Sequence, residues 1–91
     1  MSEMNIQEIE DSIKKIICKI TGMEKEEITS DAHLYRELGI DSIKAIELVV
    51  GIQGKFNIRV DDSKIERITS VKLAAEEVKR RRFLGQYGHR G

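Results

Sequence analysis

The stretch Leu38-Gly39-Ile40-Asp41-Ser42-Ile43-Lys44-Ala45-Ile46-Glu47-Leu48-Val49-Val50-Gly51-Ile52-Gln53-Gly54-Lys55-Phe56 decides how this chain folds. A glycine-containing loop runs here into apolar residues that recur at helical spacing, so a helix is expected from about Ser42 to Phe56. At about 100° per residue, the apolar side chains fall into two groups on nearly opposite sides of the cylinder. Ala45, Leu48, Val49, Ile52 and Phe56 form one group. Ile43, Ile46 and Val50 form the other, with Ser42 at its end and Glu47 and Gly54 flanking it. A small domain has one core, so two apolar faces require either a helix surrounded on all sides or a second surface kept for a partner. Lys44, Glu47, Gln53 and Lys55 argue against full burial. Leu48, Val49, Ile52 and Phe56 are therefore assigned to the core. The Ile43, Ile46, Val50 stripe is assigned to a contact surface, the alternative being that it packs inside beneath a loop.

Asp41 and Ser42 stand where this helix begins, and both residue types are common N-caps, so capping is the ordinary reading of the pair. The same position puts the Ser42 hydroxyl at the positive end of the helix dipole. Backbone N–H groups there lack intrahelical partners, and a phosphate ester would be electrostatically favoured.

Working outward, Asn5 followed by Glu8 resembles a capping box. Ile6, Ile9, Ile13, Ile16, Ile17 and Ile20 then recur at helical spacing until Gly22 supplies a C-terminal stop. Residues 23 to 41 lack sustained periodicity and read as a long loop pinned to the core by Ile28, Leu34 and Leu38. Gly51 and Gly54 are costly inside the second helix, by about 1 kcal/mol each relative to Ala, which marks it as less stable or closely approached by something. Ile58 and Val60 alternate with polar residues, but with no second strand to pair with they read as an extended linker. A short helical turn is expected over Asp62 to Arg67. A last helix opens with Thr69 or Ser70 as its cap, carries Val71, Ala74, Ala75 and Val78 on one side, and ends in Lys79 to Arg82, where positive charge suits the dipole. Residues 84–91, with three glycines, read as a frayed, flexible C-terminal tail. The pattern is an all-α protein, a small four-helix bundle with a long loop between helices one and two and a short third helix.

At 91 residues the chain makes one domain, placed at 1–83, with a small core. Sixteen acidic and sixteen basic side chains cancel, but Lys79, Arg80, Arg81, Arg82 and Arg90 all follow residue 78 with no acidic residue among them. Eleven basic against sixteen acidic residues remain before them, a net of minus five, so the body is acidic and the tail basic. No apolar run is long enough to span a bilayer, and Glu3, Glu8, Glu10 and Asp11 sit where a secretory signal needs an uncharged stretch, so a cytoplasmic protein is expected. Cys18 is alone and reads as a partly buried small apolar residue. With His33 and His89 the only histidines, neither a metal cluster nor a Cys-His catalytic pair can be assembled. Scarce aromatic residues and an acidic body argue against nucleic-acid binding, and no nucleophile and base can be placed together as an enzyme requires.

The stretch Glu37-Leu38-Gly39-Ile40-Asp41-Ser42-Ile43, followed by Ile46-Glu47-Leu48-Val49 and Phe56, resembles the 4′-phosphopantetheine attachment region of acyl carrier proteins. The likeness extends over Gly22 through Ile28, the loop Asp31 to Leu38, the acidic pair Asp61-Asp62, and Ile68-Thr69-Ser70-Val71, covering residues 5 to 80. It implies an acyl-carrier-like bundle, with the modified serine on Ser42, the preceding aspartate on Asp41, and the turn before it on Leu38 and Gly39. It further implies a covalent 4′-phosphopantetheine arm derived from coenzyme A, holding acyl groups as thioesters. The partners implied are a phosphopantetheinyl transferase and acyl-transferring and acyl-modifying enzymes. The surface expected to meet them is Ile43, Lys44, Ile46, Glu47 and Val50, and a monomer is the simplest state to expect. Such a protein is a tether in fatty-acid, polyketide or related biosynthesis and not itself an enzyme. Carriers of bulk fatty-acid synthesis usually show an acidic run along helix two. Here Asp41 and Glu47 are offset by Lys44 and Lys55, which looks more like a polyketide-type or otherwise specialised carrier with dedicated partners. The rival reading is a helical interaction domain in which Ser42 is only a helix cap.

Overall fold

The computed structural model describes residues 5–87. Its first helix, α1 (Ile6–Thr21), begins where the sequence supplies the capping box. The Asn5 side chain accepts the Glu8 N–H at 2.8 Å, and Glu8 Oε1 accepts the Asn5 N–H at 3.0 Å. It ends at Gly22, whose φ of 80° lets its N–H turn back to the Cys18 carbonyl at 2.8 Å. Ile9, Ile13 and Ile17 are buried, while Ile6, Ile16, Cys18 and Ile20 pack half-buried around them.

The segment from residue 23 to residue 41 is the expected pinned loop, interrupted by one 3₁₀ turn at Lys25–Glu27. Ile28, Leu34 and Leu38 are buried as expected, and Ala32 and Ile40 join them. Its backbone is held at two points on the start of the last helix. The Leu34 N–H donates to the Thr69 carbonyl at 2.9 Å, and the Lys72 N–H donates to the Ser30 carbonyl at 3.0 Å. The Ser30 hydroxyl donates to the Glu10 carboxylate, and Lys25 pairs with Asp11, so side chains tie the loop to α1 as well.

Helix α2 (Ser42–Phe56) closes at Asn57, a residue that tolerates its left-handed φ of 57°. Residues 58–61 carry no regular secondary structure and are held by the Val60 N–H donating to Gln53 Oε1 at 2.8 Å, with Val60 itself buried. The short α3 (Asp62–Ile65) follows, and α4 (Val71–Tyr87) opens with Ser70, whose hydroxyl accepts the Leu73 N–H at 3.1 Å and so acts as the cap. Val71, Ala74, Ala75 and Val78 are all buried. α1 packs against both α4 and α2, which places the core along its buried isoleucines. Gly51 marks the α1–α2 crossing: a Cβ there would lie 3.0 Å from Ile16 Cγ2, tighter than ordinary packing allows.

Two expectations about the C-terminal end are corrected. α4 continues to Tyr87, so residues 84 to 87 are helical and Lys79 to Arg82 lie within the helix and not in its last turn. Residues 88–91 of the expected tail lie outside the described residues, as does His89. Nor are the basic residues unopposed. Arg80 and Arg81 both donate to Glu77, at 2.5 and 2.7 Å, and Arg81 reaches Asp61 at 3.6 Å. Burial acts to raise the Glu77 carboxyl, but hydrogen bonds from Arg81 and Arg80 outweigh it and hold that group below the usual carboxylate range.

Candidate functional site

The site is built at the junction of the long loop with α2. Gly39 takes a φ of 72°, a conformation that costs a side-chain-bearing residue about 1–2 kcal/mol, and this turns the chain toward the helix. Ile40 follows, buried at 2 % exposure, and its N–H donates back across the loop to the Leu34 carbonyl at 3.0 Å. Three residues past Ser42, Ala45 is buried against the core. Ser42 therefore stands on a stretch of backbone anchored on both sides.

Capping falls to Asp41. Its Oδ1 accepts the Lys44 N–H at 2.9 Å, and its carbonyl accepts the Ala45 N–H at 2.8 Å. The Lys44 backbone N–H holds the Asp41 carboxyl below the usual carboxylate range, against the opposing effect of burial and with help from the Lys44 ammonium. Ser42 occupies the first helical position with its side chain exposed, and its hydroxyl is bonded to no other described residue. The pair thus divides the work: the aspartate satisfies the helix end, and the serine is left accessible.

The second apolar face of α2 points outward as its spacing predicts. Ala45, Leu48, Val49, Ile52 and Phe56 are buried, whereas Ile43, Ile46 and Val50 are 69, 57 and 60 % exposed. Glu47 is exposed beside them and Lys44 is half-buried. Three neighbouring aliphatic side chains left in water next to an accessible hydroxyl form an unusual surface for so small a domain. Sequence reasoning missed Ile40, which anchors the loop beneath Ser42. The alternation of Leu38 and Ile40 around Gly39 was the available signal. It also missed the exposed Leu73 on α4, which falls off that helix's buried face.

Other candidate chemistry has structural explanations. His33 Nδ1 accepts the N–H groups of Tyr35 and Arg36, shaping the loop. Cys18 is half-buried within α1. Among the described residues, no group of three or more His, Cys, Asp or Glu is placed to hold a metal ion, and no helix is long and apolar enough to cross a membrane.

Comparison with known proteins decides the family. A family model described as the phosphopantetheine attachment site matches residues 11–78. A curated acyl carrier protein of Guillardia theta is 37 % identical over 73 residues, spanning 80 % of this chain and 90 % of that protein. The chain belongs to the acyl carrier protein family. Its fold is similar to that of a solved acyl carrier protein from Enterococcus faecalis, with a TM-score of 0.72 over 86 % of this chain and 99 % of the other, at 24 % identity. An acyl carrier protein is a carrier and not a catalyst. Its cofactor is 4′-phosphopantetheine, installed by a phosphopantetheinyl transferase, and it works with partner enzymes. The residues at the start of α2 fit that group: an exposed, unengaged hydroxyl at a helix N-terminus suits a phosphodiester, and the cap it would otherwise supply comes from Asp41.

Proposed function

We propose that Ser42 is the residue that carries 4′-phosphopantetheine, with Asp41 setting the backbone at its side. The observation that supports this best is that Asp41, and not Ser42, caps α2, leaving the serine hydroxyl exposed and unengaged. It weighs against the rival reading, in which Ser42 serves only as a cap. The bound arm supplies a thiol on a long flexible chain, on which acyl groups are held as thioesters. The carrier domain, taken as residues 1–83, makes and breaks no bonds in its cargo. Its contribution is effective concentration: a tethered substrate samples a limited volume and meets each docked active site without release to solvent.

Docking is assigned to Ile43, Lys44, Ile46, Glu47 and Val50, on the support of their position beside Ser42 and the outward exposure of the three aliphatic residues. One surface that serves several enzymes in turn must bind each weakly, which suits a small apolar patch with a charged rim. The charge balance of α2 favours a specialised or polyketide-type pathway over bulk fatty-acid synthesis. The test is incubation with coenzyme A, magnesium and a phosphopantetheinyl transferase, comparing wild type with Ser42→Ala. The exposed substitution leaves the fold within about 0.5 kcal/mol of wild type, so a folded variant that gains no mass beside a wild type that does supports the assignment. Equal loading of both proteins would refute it.

A further inference from the structure

Charge divides this chain just after α2. Residues 1–58 carry seven basic and eleven acidic side chains, a net of minus four, whereas residues 59–82 carry eight basic and five acidic, a net of plus three. On the basic part lies a groove of about 330 Å³ between α3 and α4. Its apolar lining is Ile68, which is buried, and Leu73, which is 42 % exposed. Leu73 is the one exposed large aliphatic residue outside α2 among the described residues. Three cations share the groove with it: Lys64 from α3, Arg67 from the turn that follows, and Arg80, two helical turns beyond Leu73 and so on the same side of α4.

The fold itself uses little of this. Among the described residues, Lys64 and Arg67 pair with no carboxylate. Glu77, which also lines the groove, is already met by both Arg80 and Arg81, so a cationic surplus faces outward around an exposed leucine. We propose that this groove binds an acidic segment of a partner protein, which seats an aliphatic side chain against Leu73 and Ile68 and carboxylates on Lys64 and Arg67. Glu76 at the same groove opposes the continuous negative charge of a nucleic-acid backbone or an anionic bilayer, whereas a peptide places its charges one by one. The groove shares no residue with the Ile43, Ile46, Val50 stripe, so a segment bound here holds a partner while the face beside Ser42 stays open. Binding at this place needs no arm on Ser42.

The probe is a fluorescein-labelled peptide of about twelve residues repeating Glu-Glu-Leu, titrated with the full chain without its arm and followed by fluorescence anisotropy at about 50 mM NaCl. Wild type is expected to bind it with a Kd below about 0.3 mM, in the range of weak, transient contacts. Lys64→Glu and Arg67→Glu should each weaken binding at least about fivefold, and Leu73→Ser at least about threefold. Raising NaCl to about 500 mM should weaken wild type at least about fivefold. Ile46→Ala on the α2 stripe should stay within about twofold of wild type. Circular dichroism melts check that each variant is folded, and a variant that is not is replaced by Lys64→Gln, Arg67→Gln or Leu73→Ala with the same thresholds. A wild-type Kd above 0.3 mM, or folded groove variants that bind as wild type does, overturns the proposal. So does tighter binding to vesicles of an anionic phospholipid than to the peptide, lost in the same variants, which would make the groove a lipid-facing surface. Because the arm is absent throughout, none of these outcomes is confused with failure of Ser42 to be loaded.

Discussion

Substituting Ile52 and Ile46 by alanine, one at a time, tests the two-faced reading of α2. The residues have the same side chain and lie six positions apart on one helix, but Ile52 is 1 % exposed and Ile46 57 %. Ile52→Ala removes three buried carbons, worth about 2.4 kcal/mol at roughly 0.8 kcal/mol each, and the residual cavity brings the loss to about 3–4 kcal/mol. A domain of this size has on the order of 5 kcal/mol in total. With a urea slope of about 1–1.5 kcal/mol/M, the unfolding midpoint should fall by about 2–4 M. Ile46→Ala removes no core contact and places a better helix former on the surface, so its stability should change by less than about 0.5 kcal/mol in either direction. Equilibrium urea unfolding followed by far-UV circular dichroism measures both. Equal losses, or a larger loss for Ile46→Ala, would mean that α2 is rotated about its axis and that the stripe beside Ser42 faces the core.

Gly39→Ala should destabilise the protein by about 1–2 kcal/mol through its left-handed φ of 72°, although open space surrounds it. A thermal melt unchanged from wild type would show that the turn relaxes freely. Because the Asp41 carboxyl titrates below its unfolded value, its stabilising effect is present above that value and is lost as pH falls through about 4 and below. Asn caps a helix as well as Asp does without titrating there. Asp41→Asn should therefore lose less melting temperature than wild type between about pH 6 and pH 3, and parallel losses would remove Asp41 from the account. Glu77→Gln weakens charge-assisted bonds to Arg80 and Arg81 and should cost about 1–2 kcal/mol by urea titration, an effect that a neutral outcome would deny.

Much of this architecture was legible because local rules and burial agree. Asn5 with Glu8, Gly22, and the isoleucines between them define α1 without reference to anything distant, and the two apolar faces of α2 follow from spacing alone. The loop was harder. Its 3₁₀ turn at Lys25–Glu27 has no periodic signature, and Ile40 is buried because the loop folds back to the Leu34 carbonyl, a contact that periodicity does not encode. α4 is longer than expected because the three glycines among residues 84–91 read as a frayed tail, while the helix runs on to Tyr87. The Arg80 and Arg81 pairings were visible in principle, since Glu77 lies three and four residues before them, but counting charges by segment hid them. At the site, only the folded backbone distinguishes Asp41 from Ser42 as the cap, because both residue types cap equally well.

The central claim is that one hydroxyl accepts the arm. Tandem mass spectrometry of the protein loaded from coenzyme A, with fragment ions that separate Asp41, Ser42 and Ile43, tests it most directly. The account predicts that the added mass appears in every fragment containing Ser42 and in none that lacks it. Modification on any other residue, or a protein left bare by a transferase that loads other acyl carriers, would contradict it.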